Sequence, residues 1–190
     1  MQDVIKNNFS NHLEVINKVL ETNISLIELF GNILSSCLEK NGTIFLCGNG
    51  GSASDSQHIA AELVGRFKKD RRALKSIALT TDTSILTSVG NDYGFNEIFS
   101  RQIEALSSSG DILIGISTSG NSENIIRAFE VAKGFGVTTI GLTGKDGGKL
   151  KNISDHCLMV PSESTARIQE SHILIGHILC DLIEKKLQLV

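Results

Sequence analysis

Five short apolar runs, most of them separated by helical stretches, restrict this chain to very few folds. The runs are Thr43–Cys47, Ser76–Leu79, Asp111–Ile116, Val137–Leu142 and Cys157–Val160. Each is apolar at successive positions rather than at alternate ones. A strand reads that way when both of its faces are covered, which is the condition of a parallel sheet. Between the runs, helices are predicted from Ser52 or Ser54 to about Phe67, over Ser84–Val89, Asn96–Leu106 and Glu123–Lys133, and from about Glu163 to Leu187. The expected fold is α/β: a three-layer sandwich with a five-stranded parallel sheet, doubly wound in the flavodoxin-like manner, making one domain over residues 1–190.

The first forty residues stand apart as a helical arm, followed by an α/β core over 41–190. Phe9, Leu13, Ile16, Leu20, Ile27, Leu34 and Leu38 recur at helical steps, and Ile24, Phe30 and Ile33 widen the apolar face. Asn23 and Gly31 are positions where the arm could divide into two helices, and Asn41-Gly42 should end it. The arm can pack against a second subunit or against its own core.

In open parallel sheets, ligands bind beyond the carboxyl ends of the strands, where helix N-termini present unpaired N–H groups and partial positive charge. Two segments suit an anion there. Cys47-Gly-Asn-Gly-Gly-Ser-Ala-Ser54 leaves the first run, and its three glycines allow backbone amides to come close. Ser117-Thr-Ser-Gly-Asn-Ser122 leaves the third run with four hydroxyls. A GxxxxGK sequence followed by Ser or Thr does not occur. The first loop also lacks the last glycine of a dinucleotide fingerprint, and no acidic residue ends the second run. A small phosphorylated molecule is therefore expected rather than a nucleotide, and no redox cofactor is called for.

His58 and Glu62 lie four residues apart on the helix that leaves the first loop, with Arg66 a further turn on. They share a face amid Ile59, Ala60, Ala61, Leu63 and Val64. A carboxylate on so apolar a helix needs a partner or a task. The last helix carries Gln169, Glu170, His172 and His177 among apolar neighbours. Imidazole and carboxylate together supply proton transfer near neutral pH, and His, Glu, His and an amide oxygen would equally suit zinc or a similar divalent ion. Gln169 and His177 are about 12 Å apart along one helix and differ by roughly 80° in direction. One ion reached by both implies a site at a subunit contact, one ligand coming from a neighbouring chain. Asn91-Asp92, expected in a loop, could bond sugar hydroxyls.

Net charge is only -3, which opposes a general electrostatic grip on nucleic acid or an anionic membrane. The five basic residues within Arg66–Arg72 read as a solvated helix end, since no aromatic platform accompanies them. Cys37, Cys47, Cys157 and Cys180 form no CxxC pair and read as buried thiols in a reducing compartment. With no apolar segment of membrane-spanning length, a cytoplasmic location is expected.

GNGGS at Gly48–Ser52, QHIAAEL at Gln57–Leu63, VGNDYGF at Val89–Phe95, GISTSGNS at Gly115–Ser122, LTGKDGG at Leu142–Gly148 and RIQESHILIGH at Arg167–His177 carry a resemblance. The chain resembles the phosphoheptose isomerases of the sugar isomerase (SIS) family over nearly its whole length. The resemblance implies isomerisation of D-sedoheptulose 7-phosphate to D-glycero-D-manno-heptose 7-phosphate for bacterial glycans such as lipopolysaccharide or capsule, by a homotetramer with sites between subunits. It implies Glu62 and His177 as the acid/base pair and His58, Glu62, Gln169 and His177 as zinc ligands. It further implies substrate contacts from Asn49, Gly50, Gly51, Ser52, Glu62, Asn91, Asp92, Ser117, Thr118, Ser119, Ser122 and Gln169. Some members of the family have Asp where this chain has Ala166, so any auxiliary role of that carboxylate is missing here. Two rival readings are a related non-catalytic protein that binds the replication initiator, and an isomerase of another ketose phosphate. The presence of both Glu62 and His177 favours catalysis.

Overall fold

A computed structural model describes residues 1–189. The chain opens with one helix, α1 (Gln2–Glu39), and continues β1 (Ile44–Gly48), α2 (Gly51–Val64), β2 (Ser76–Ala78), α3 (Thr83–Asp92), a 3-10 turn (Phe95–Glu97) and α4 (Ser100–Leu106). Then follow β3 (Ile112–Ser117), α5 (Glu123–Gly134), β4 (Thr138–Gly144), α6 (Leu150–Ile153), β5 (His156–Val160) and α7 (Thr165–Lys186). The strands form one sheet in the order β2-β1-β3-β4-β5, every pairing parallel. This is the doubly wound α/β architecture expected, with strand ends shifted by a residue or two. The short helix α6, just after the LTGKDGG stretch, was not anticipated.

Alternation along the strands divides the interior in two. Ile44, Leu46, Ile112, Ile114, Ile140 and Leu142 pack with α1, α2 and α7. Phe45, Cys47 and Leu113 face the opposite way, toward Phe99 just before α4, Ile103 of α4 and Ile125 and Phe129 of α5.

Helix α1 is not divided at Asn23 or Gly31. Gly31 is a packing residue: a Cβ there would come within 2.9 Å of Leu182 Cδ1, so its absence lets α1 lie close on α7. The helix does end as expected, for Asn41 takes φ 66° and Gly42 N–H donates to Cys37 O at 2.9 Å. The buried stripe is Val15, Val19, Asn23, Ile27, Phe30, Leu34 and Leu38. Phe9, Leu13, Leu20 and Ile24 are more than half exposed on the other side. The arm is thus part of the core along one face and leaves a second apolar face uncovered in the single chain.

Candidate active site

The first loop follows directly from β1 running into α2. Gly50, at φ 55°, caps the helix, and Ser52 and Ser54 lie inside its first turn. The helix thus starts slightly before the serines expected to begin it, and ends at Val64 rather than Phe67. The turn closes through Ser52 N–H to Asn49 O and Ala53 N–H to Gly50 O, both 3.0 Å. Gly50 and Gly51 are left at the helix start, where N–H groups have no intrahelical acceptor. Ser52 is buried against Gly48.

The second loop leaves β3, the neighbour of β1, so both loops flank the point where strand order reverses. Ser117 Oγ and Ser122 Oγ are 2.9 Å apart across its base, and Thr118 and Ser119 are half-buried. The two loops are tied together by Asn49 and Asn124. Each amide nitrogen donates to the other's oxygen, at 3.0 and 2.9 Å. Asn124 was missed by sequence reasoning; only its place in the first turn of the helix after the second loop hinted at it. A cleft of about 190 Å³ opens beside the first loop, lined by Gly48, Asn49, Gly50, Thr80 and Phe95 among others. Asn91 and Asp92 belong to the last turn of α3 rather than to a loop, because the helix continues through Gly90. Their side chains bond each other at 2.7 Å and are exposed.

Further along α2, three expected residues meet. His58 Nε2 lies 3.2 Å from Glu62 Oε1, and His177 Nε2 lies 3.2 Å from His58 Nε2. The α2–α7 crossing is close because position 176 is glycine; a Cβ there would overlap Ile59 Cδ1 at 2.5 Å. The ring of Phe67 stacks on His177, centroids 5.6 Å apart and planes 14° from parallel. His58 meets His177 edge-on at 4.9 Å. The ligand atoms of His58, Glu62 and His177 lie within 4.8 Å of one another. A tetrahedral site with metal–ligand bonds of about 2.1 Å has edges near 3.4 Å, so the trio fits a divalent ion. It comes entirely from one chain.

Gln169 is placed differently. Its amide nitrogen would lie 2.6 Å from a Cβ on Gly51, so it covers the start of α2, about 10 Å of helix before His58. Asp55, one turn before His58, was overlooked in the sequence. Its Oδ2 is buried without a partner. Burial raises its carboxyl above the ordinary range, and the nearby His58 and His177 moderate the rise. Its i, i+3 spacing to His58 was the available signal.

Two other candidates lie off the site. His172 is fully buried and bonds Thr143 O at 3.0 Å, and burial holds its pKa down at about 4. Glu170 pairs with Arg167 and His12, both at 2.6 Å. The basic run was also misread in one respect. Arg71 is inside the protein, its side chain 2% exposed and paired with the buried Glu184 at 2.9 Å. All four cysteines are unpaired. Burial pushes Cys37 to about 11 and Cys180 to about 12, so neither is a ready nucleophile.

Known proteins resemble this chain over nearly its whole length. A family model described as the SIS domain matches residues 8–144. The chain is 53% identical over 185 residues to the phosphoheptose isomerase of Helicobacter pylori (strain P12), covering 97% of this chain and 96% of that one. It is 54% identical over 187 residues to the phosphoheptose isomerase of Aliarcobacter butzleri, covering 98% and 99%. The solved structure of the Neisseria gonorrhoeae phosphoheptose isomerase superposes with a TM-score of 0.92 at 43% identity, covering 97% of this chain and 98% of that one.

Proposed function

Because this chain belongs to the phosphoheptose isomerases of the SIS-domain family, we infer that it converts D-sedoheptulose 7-phosphate to D-glycero-D-manno-heptose 7-phosphate in heptose biosynthesis. The observation that carries the reading is the meeting of His58 and Glu62, on a helix that begins at a loop suited to an anion, with His177 of α7. Helix α2 then separates the substrate's phosphate from its reacting carbons.

In this account the phosphate sits on Asn49, Gly50 and Gly51 and on the hydroxyls of Ser117, Thr118, Ser119 and Ser122. The buried Ser52 shapes the first loop. Asn91, Asp92 and Gln169 take sugar hydroxyls. Anchoring the phosphate brings C1 and C2 to the trio and removes most of the entropic cost of the proton transfer. Glu62 takes the C1 proton, giving an enediol, and returns a proton to C2. His177 moves the hydroxyl proton from O1 to O2. Atoms balance, and no redox partner is used.

The trio would hold zinc, which when bound would polarise the substrate oxygens. Gln169 would join it only by leaving Gly51 or from a neighbouring subunit. An Nε2 lone pair can serve a cation or a proton, not both at once. We also propose a homotetramer acting in the cytoplasm. Its support is the uncovered apolar face of α1 beside Leu174 and Ile178, where a hollow of about 350 Å³ lies. Among the described residues, no helix is long and apolar enough to cross a membrane.

The test is an isomerase assay on sedoheptulose 7-phosphate, with chelated and zinc-loaded protein, for the wild type, Glu62→Gln and His177→Gln. Turnover by the wild type and its loss in both variants is expected. Full activity in either variant would remove that residue from the mechanism. A wild type inert with and without zinc would return the non-catalytic reading.

A further inference from the structure

We propose that Phe67 is a positioning residue for His177, and that the buried Glu184–Arg71 pair exists to hold Phe67 in place. The proposal rests on the assignment of His177 as an acid/base.

The segment after α2 has no regular structure from residue 66 to residue 75. Such a segment would ordinarily be among the more mobile parts of a fold. Here it is fastened from inside. Glu184, on α7 and fully buried, accepts Phe67 N–H at 3.1 Å, Lys68 N–H at 3.2 Å and Arg71 Nε at 2.9 Å. Arg71 spends its remaining donors on the carbonyls of Glu62, Leu63, Gly65 and Arg72. One of those carbonyls belongs to Glu62 itself. The pair therefore closes the end of α2 and the loop into one unit.

Glu184 and His177 are seven residues apart on α7, two turns along the same face. The carboxylate that grips the Phe67 backbone thus stands on the helix that carries His177. The consequence is the parallel stack of the Phe67 ring on His177. With His58 edge-on to the same imidazole, ring rotation is blocked from two directions. Nε2 is then kept toward His58 and Glu62, and the other ring nitrogen away from them.

A purely structural Phe67 is the competing account, since the ring also packs against the α1–α2–α7 core. Phe67→Leu keeps apolar bulk and removes the flat face; Phe67→Tyr keeps the face. The measurements are kcat and KM on sedoheptulose 7-phosphate, the thermal midpoint, and the tautomer and line shape of His177 by NMR of nitrogen-15 histidine-labelled protein, assigned with His177→Gln. Phe67→Leu should lower kcat by about 10- to 100-fold with KM little changed, and should replace a single His177 tautomer by an exchanging mixture. Phe67→Tyr should restore both. Wild-type kcat and an unaltered His177 signal in Phe67→Leu would overturn the proposal, as would a Tyr variant impaired as badly as the Leu variant. If Phe67→Leu does not fold, Phe67→Met decides by the same readouts. An active His177→Gln would sink the acid–base reading separately, because the tautomer signal judges Phe67 without reference to turnover.

Discussion

Glu184→Gln changes one atom's identity in a side chain with no exposed surface. The volume is kept, and one amide oxygen remains to accept a hydrogen bond. What is lost is one acceptor for the Phe67 and Lys68 N–H groups, and the counter-charge of Arg71, whose side chain is 2% exposed and so cannot turn to water for compensation. Removing one partner of a buried pair costs about 3–5 kcal/mol. A domain of this kind has about 5–15 kcal/mol in all. With a urea dependence of about 2 kcal/mol per molar, the unfolding midpoint should fall by about 2 M. Urea unfolding followed by circular dichroism at fixed protomer concentration measures it, since assembly adds concentration-dependent stability. Adding Arg71→Met should cost less than the sum of the two single changes, because the uncompensated charge is then gone. A midpoint shift below about 0.5 M for Glu184→Gln would refute the reasoning: the pair would then not be sealed from water.

Other consequences follow from particular contacts. Burial lowers His172 from 6.5 to about 4, so the unfolded chain takes up a proton there before the native state does. Stability should therefore drop as pH falls from about 6.5 to about 4, by up to roughly 3 kcal/mol from this group; urea midpoints across that range should flatten in His172→Asn, and an unchanged profile would contradict the assignment. Asn124→Ala removes both bonds to Asn49 and frees the first loop. KM for sedoheptulose 7-phosphate should rise about tenfold, read from initial rates, with the thermal midpoint as a control for folding.

The sheet was readable because each strand is buried on both faces and so is apolar at every position. The two loops were readable because glycine and hydroxyl residues cluster where an apolar run gives way to a helix. His58 and Glu62 were readable as a pair because four residues make one helical turn. The rest depends on what lies across from a residue. Gly31 looks like a break in isolation and is a packing site once Leu182 is opposite it. Phe9 and Leu13 look like core and are exposed, because α1 turns a different stripe, through Val15 and Val19, toward α7. Arg71 sits among solvated cations in sequence, and only its encounter with Glu184 from the far end of the chain distinguishes it. Asp55 and Phe67 are brought near His177 solely by where α7 delivers it.

The most direct test of the proton-transfer account is hydrogen exchange at the reacting carbons. Sedoheptulose 7-phosphate is incubated in deuterium oxide with wild type, Glu62→Gln and His177→Gln, and label at C1 of the ketose and C2 of the aldose is followed by NMR. The wild type should carry solvent deuterium into both positions during turnover. Glu62→Gln should lose exchange and turnover together, by roughly 100- to 10,000-fold, and His177→Gln should lose turnover. Exchange at the wild-type rate in Glu62→Gln would contradict the account, because another group would then be removing the C1 proton.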